Sequence, residues 1–564
     1  MTLFTGQLDA PDQPIQPHWP VWDTCRSFQD LFYQPVYLSE IQQALDKAVR
    51  AQKWRGGPEH FLTTIEPVRQ LYNEYAQARS IAEVCYQMNR SDPFYTAERA
   101  RYRVERKEIT LLIQLLFEGV MADKKFLPEI AEAMGKMPLL TVHNWRAIHH
   151  HYVEEQQAEE DFLVEKIQAD GEFISELSML DTHHDWRPPA NLPADFTTDI
   201  VHLMQVRQEL AIEQGFDSFV QLGYRRLSYL DFLPWQAEQL HQYIEDYFVP
   251  LASALRAADQ ESTDIRPGDI FRASITAAPT PSLPTSISEA ARINRVFKDS
   301  LGEDTGDFWL NLDKLGYIQT FDWKNVERRA KCYRLTDPSL PVLFSNRKLS
   351  TSTLADFLNI GGRAYGHLLS SDRSGVYFYQ DVPLAVLRIW GKVMEFLGHR
   401  GVEGVFEDPN DAEIWRQYHM RSQVMELPLL ALIDRFQMYL HQNFTLGVDE
   451  WNREWLILVA RYFPDLAEDE EWLARQLYSW RGVLSTYTEP FSALSKAVSV
   501  VSGLSVWDKA RENRELSLAQ FDQFCARTLD DSCLLLLEKT GLSSPFEKDT
   551  IKRLAFQTCY YLGF

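Results

Sequence analysis

Between residues 37 and 180 apolar side chains keep returning at three- and four-residue steps, as in "EITLLIQLLFEGVMADKKFLPEIAEAM" (108–134), with charges set between them. That period matches the turn of a helix and not the alternation of a strand, so the stretch predicts stacked amphipathic helices. "DTHHDWRPPANLPADF" (181–196) interrupts it, and the expected organisation is an N-terminal helical lobe over 1–185 followed by a second domain over 195–564. "RPGDIFRASITAAPTPSLPTSI" (266–287) suits an extended loop or short hairpin. Only "GYIQTFDW", "AKCYRLTD" and "PVLFSN", between 315 and 346, have strand character. Helical periodicity then resumes to the end, so the fold class expected is mainly α with one small sheet.

Charge narrows the partners. The 564 residues carry 57 Lys and Arg against 80 Asp and Glu, a net charge of −23, which repels phosphate backbones and anionic bilayers. Neither nucleic acid nor membrane is expected as a partner. Six scattered cysteines (Cys25, Cys85, Cys332, Cys525, Cys533, Cys559) form no CxxC pair and read as reduced, mostly buried thiols of a cytoplasmic protein.

The segment "TLADFLNIGGRAYGHLL" (353–369) holds most of the chemical information. Ser350 to Thr353 offer N-caps, and Leu354, Phe357, Leu358, Gly361, Ala364, Tyr365 and Leu368 fall on one buried helical face. Adjacent Gly361 and Gly362 cost roughly 1 kcal/mol each relative to Ala in mid-helix. Such a cost implies close approach of another backbone or of a ligand.

With "PVLFSN" upstream and "GRAYGH" within it, this region resembles the oligoendopeptidase F branch of the thimet oligopeptidase metallopeptidases. "DPFYTAERARYRVERKEI" (92–109), "GFDSFVQLGYRRLSYLDF" (215–232), "VFKDSLGEDTGDFW" (296–309) and "VMEFL" (393–397) resemble further family segments in the family's order. The resemblance implies two helical lobes enclosing a deep peptide channel, with the sheet beside the zinc helix. It also places Asn359 and Arg363 at the two His ligands of the family's HExxH, Ile360 at the general-base Glu, and Arg388 at the third ligand, a Glu. Ser485 falls at the family's transition-state His, Ser492 and Ala493 at its paired tyrosines, and Lys496 at a downstream one; Tyr487 is the one nearby residue that a register slip would recover. Reading "RAYGH" as the degraded motif keeps His367 as a ligand but leaves Arg363 and Ala364 at the other positions.

Zinc requires donors with a lone pair in near-tetrahedral array. An amide is a weak donor and a guanidinium has none to give. A divalent ion roughly 5 Å from one guanidinium meets repulsion of about 6 kcal/mol at an effective dielectric of about 20. No HExxH, HxxEH, GxSxG or GxxxxGK[ST] occurs anywhere in the chain. The expectation is therefore no metal, no cofactor and no catalytic residue: a pseudopeptidase binding an oligopeptide or a protein partner, such as an active peptidase relative. Arg363 and Arg388 would receive a carboxylate, with Tyr365, His367 and Tyr487 as further ligand-lining candidates; alternatively the two arginines pair with acids such as Glu395. An active zinc oligopeptidase and a scaffold with a vestigial channel are the rival functions. The His150/Glu154 and His151/Glu155 pairs, beside the acidic run "EEQQAEEDF" (154–162), read as solvated helix surface, and His183, His184 and Asp185 as loop residues.

Overall fold

The computed structural model describes residues 20–51, 57–122, 157–167, 196–263, 267–274, 288–320, 330–337, 339–345, 348–370, 382–483, 485–528 and 530–564. Helices dominate. In chain order they include α1 (Leu38–Ala51), α2 (Gly57–Met88), α3 (Pro93–Ala122), α4 (157–167), α5 (Phe196–Glu213), α6 (Phe219–Arg226), α7 (Glu289–Leu301), α8 (Phe308–Lys314), α9 (Leu354–Leu369), α10 (Leu384–Leu397), α11 (Pro409–Gln442), α12 (Ser492–Glu512) and α13 (Arg514–Ala526). The three strands are β1 (Ile318–Thr320), β2 (Lys331–Arg334) and β3 (Pro341–Ser345), each inside one of the three segments with strand character.

The sheet order is β1-β3-β2. β3 is central and buried along its whole length; it runs parallel to β1, with Ile318 opposite Leu343, and antiparallel to β2, with Cys332 also opposite Leu343. A strand covered on both faces has no need of polar alternation, which is why "PVLFS" is a continuous apolar run. β3 and β2 pack against α9, and β2 also reaches α2.

Contacts divide the chain into two compact units, each assembled from separated stretches. One comprises residues 1–146, 280–412 and 509–542; the other comprises 147–279, 413–508 and 543–564. These divisions differ from a split near residue 185, and the break at 181–195 lies outside the described residues. In the first unit α1, α2 and α3 pack on one another through rings such as Phe61 and Phe117, edge to face at 5.6 Å. α7 and α8 join through Phe297 and Trp309, stacked at 5.4 Å.

The second unit is pinned by a buried ionic knot. Glu160 of α4 accepts from Arg207 Nε of α5 at 2.8 Å and from Arg226 of α6. Arg207 also donates to the carbonyls of Thr486 and Tyr487, and its guanidinium lies 5.0 Å over the Phe219 ring. Burial opposes ionisation of Glu160, but the Arg226 and Arg207 charges overcome it and bring the carboxyl down to about 2. The acidic run was expected to be solvated throughout; Glu160 is instead 3% exposed, because two arginines from later in the chain close on it. Of the cysteines, only Cys525 and Cys533 are buried, fewer than expected, and all six are thiols. No described helix is long and apolar enough to cross a membrane.

Candidate functional site

α9 begins at a turn rather than a conventional cap. Thr353 stands at the N-cap position, yet its hydroxyl donates to the Lys348 carbonyl at 2.8 Å and accepts the Ser350 N–H, so no side chain caps the helix. The expected apolar face is buried as drawn, and burial extends further, to Ile360, Gly362, Gly366, His367 and Leu369. The half-buried residues of α9 are Ala355, Asp356, Asn359 and Arg363, one stripe at helical spacing.

The glycines admit the neighbours. A Cβ on Gly361 would lie 2.1 Å from Phe297 Cζ and 2.8 Å from Trp309, and one on Gly362 would lie 2.5 Å from both Met394 Cβ and the Trp390 carbonyl oxygen. Gly362 therefore answers the question its position raised: the close approach is made by the α10 backbone. Gly391 of α10 reciprocates, leaving room for the Asn359 amide, which a Cβ there would meet at 2.6 Å.

This contact carries the polar part of the site. Asn359 Nδ2 donates to Glu395 Oε1 at 2.5 Å, and Lys392 Nζ donates to Glu395 Oε2 at 2.7 Å. Glu395 is 3% exposed, and its two oxygens accept from an amide and an ammonium. Arg388 and Lys392, four residues apart on α10, are half-buried. Arg363 Nε is buried and meets no hydrogen-bond partner among the described residues. Burial lowers the Arg363 pKa from its ordinary value and Arg388 lowers it further, while Cys332 and Glu395 act the other way. Cys332 of β2 is pushed up to about 12 by burial, with Arg363 partly offsetting this, so it remains a thiol.

The other candidates divide by environment. Tyr365 is buried and its hydroxyl donates to Asp522 of α13 at 2.7 Å. His367 is buried edge-on to Trp390, with ring centroids 5.4 Å apart. Both are occupied by the core around α9. Ser485, Tyr487, Ser492, Ala493 and Lys496 belong to the second unit. Tyr487 is fully buried, edge-on to Phe196, with its hydroxyl 3.5 Å from the Arg481 carbonyl, and offers a ligand no surface. Ser492 and Ala493 are buried, Ser485 is half-buried and Lys496 is exposed. The 149–151 and 183–185 histidine clusters lie outside the described residues.

Sequence reasoning missed Lys392 and the Asn359–Glu395 bond. The spacing of Lys392 and Glu395, three apart on one helix, was the available signal.

The donors present do not suit zinc. Asn359 is engaged with Glu395, Ile360 is apolar, and Arg363 and Arg388 are cations; no three His, Cys, Asp or Glu side chains gather to hold a metal ion among the described residues.

No protein-family model matches the sequence, and no curated protein does. Solved structures do. A Pz peptidase A with an inhibitor aligns at TM-score 0.78 and 18% identity over 95% of this chain and 99% of its own. A protein assigned to oligoendopeptidase F aligns at TM-score 0.79 and 18% identity with the same coverage, and another, from Bacillus anthracis strain Ames, at TM-score 0.77 and 18% identity over 95% and 98%. With the helical frame, the small sheet on α9 and the α9–α10 pair all in place, the chain has the oligoendopeptidase F fold.

Proposed function

We propose that this protein is a zinc-free pseudopeptidase, resident in the cytoplasm, that binds oligopeptides or an acidic segment of a protein partner without cleaving them. What supports the reading above all is Arg363: a buried guanidinium nitrogen without a hydrogen-bond partner among the described residues, at the position where the resemblance puts a zinc-binding His. A buried donor left unmade costs about 1–3 kcal/mol, which a carboxylate arriving at the stripe would recover. Arg388 supplies a second cation on the facing helix, and its charge acts on Arg363. A peptide C-terminus or an Asp or Glu side chain has the geometry to take a guanidinium fork.

Hydrolysis by the metallopeptidase route needs a metal-bound water of lowered pKa and a base to take its proton. Ile360 has no proton-accepting atom. Glu395, the carboxylate of the α9–α10 contact, is committed to Asn359 and Lys392. The chain's own residues thus bind and orient but do not activate water.

The test is native mass spectrometry of the full chain with a mixed oligopeptide pool and excess zinc, for wild type and Arg363→Met. Intact peptides retained by wild type, and reduced about tenfold in the variant, are expected from loss of one charge-assisted contact. The melting temperature of Arg363→Met should not fall, since the variant removes a poorly paired buried cation and keeps the apolar stem, so lost binding will not reflect unfolding. Bound zinc with chelator-sensitive fragments would reinstate an active peptidase. Metal-free protein retaining nothing would point to a scaffold.

A further inference from the structure

The bonds around Glu395 are not the ones that charge alone would select. Glu395 of α10 is buried, and its charge acts on the Arg363 guanidinium of α9. A guanidinium–carboxylate fork is among the strongest pairings open to two such groups. It is not made. Glu395 Oε1 accepts from Asn359 Nδ2 at 2.5 Å and Oε2 from Lys392 Nζ at 2.7 Å, while Arg363 Nε meets no hydrogen-bond partner among the described residues.

Spacing along the helices does not forbid the fork. Asn359 and Arg363 are four apart on α9 and lie on one stripe, so a carboxyl group bonded to Asn359 stands about one helical turn from Arg363. What takes the second oxygen is Lys392, three residues before Glu395 on α10, the spacing at which an ammonium and a carboxylate of one helix meet. Gly391, beside Lys392, leaves the room in which the Asn359 amide reaches across. Each oxygen of Glu395 is thus claimed from a different helix, which fixes the orientation of the group.

We propose that Lys392 is a positioning residue of the peptide site: by holding Glu395 against Asn359, it keeps an internal carboxylate off Arg363 and leaves that cation to a carboxylate arriving with a ligand. The inference rests on the reading of Arg363 as the carboxylate receptor. Glu395 and a peptide C-terminus carry the same group and are rivals for one guanidinium. A rival tethered within reach acts at an effective concentration on the order of millimolar. A released Glu395 would therefore close the site to peptides present at micromolar levels.

One readout needs no peptide. In a double-mutant cycle of Arg363→Met with Glu395→Gln, read from denaturation of the full chain, the two substitutions are expected to be near additive when Lys392 is present and clearly coupled in a Lys392→Met background. Coupling of the same size in both backgrounds overturns the inference, because Glu395 then turns to Arg363 no more when its lysine is gone. Retention of a mixed oligopeptide pool in native mass spectrometry is the second readout. Lys392→Met should weaken it about tenfold or more, and adding Glu395→Gln should restore it, since a neutral amide does not satisfy a guanidinium charge. A double variant that stays weak would reduce Lys392 to a structural or directly ligand-binding group and overturn the inference. That variant strands no buried carboxylate, so its result stands even if Lys392→Met alone folds poorly. Retention by no variant, wild type included, overturns the receptor reading itself, and the cycle still decides whether Lys392 holds Glu395 away from Arg363.

Discussion

Single side chains around α9 are held in protonation states that only their surroundings explain. Asp522 accepts from Tyr365, but burial dominates and raises its pKa from 3.8 to about 6. Because the folded protein then holds this proton more tightly than the unfolded chain, stability falls as pH rises from about 3.8 to about 6, and the whole penalty is present above that. Asp522→Asn keeps an acceptor for the Tyr365 hydroxyl and removes the buried charge. Chemical denaturation should find the variant more stable than wild type by about 1–3 kcal/mol at pH 7, with the difference gone below pH 4; a variant less stable at pH 7 would show that the charge itself is needed. Glu160 is the opposite case, a carboxylate drawn below its ordinary value by two arginines, contributing stability that is lost as pH falls from 4.5 toward about 2. Its immediate neighbours, Glu159 and Asp161, advertise solvent. What reverses the reading is Arg207 and Arg226, 47 and 66 residues further on.

At the scale of elements, periodicity carried most of the fold. The strand segments, the buried face of α9 and the α-rich remainder are where the pattern of side chains puts them, because helix and strand periods are local properties of the sequence. The helix also starts where expected, with Thr353 at the N-cap position, but the Ser350 and Thr353 side chains are used in the turn and do not cap it. Glycine spacing showed that something must come close to α9 without showing what, and the two neighbours differ. Gly362 meets backbone, and Gly361 meets the Phe297 and Trp309 rings. Gly361→Ala therefore drives a methyl into a stacked aromatic pair with no flexible tail to yield. The gain in helix propensity of roughly 1 kcal/mol is outweighed by overpacking of about 1–3 kcal/mol or more. Thermal unfolding should show a lowered melting temperature, and an unchanged or raised one would mean that α7 and α8 can move aside.

For the molecule as a whole, the decisive feature is that each compact unit draws on three separated stretches of chain. A fragment ending near residue 185, or one beginning near 195, cuts through both units. Neither fragment should fold alone; far-ultraviolet circular dichroism and limited proteolysis of residues 195–564 are expected to show a protease-sensitive chain lacking a cooperative melt, and a cooperative, resistant fragment would contradict the division. The expected boundary around 181–196 rests on Pro and charged residues that interrupt helices, which is a statement about local conformation. Domain membership depends instead on which distant surfaces meet.

The sequence by itself determined the mainly α class, the place of the sheet, the absence of an HExxH motif and the strong negative charge, since each follows from residue type and spacing. Tertiary structure alone decided which charges are satisfied. Lys392 and Asn359 take Glu395, Arg101 takes the acids beside it, and Arg363 Nε is left without a hydrogen-bond partner among the described residues. Pairing of this kind is settled within a few ångströms by groups far apart in the chain, and Coulomb and hydrogen-bond energies fall away too steeply for sequence order to predict them.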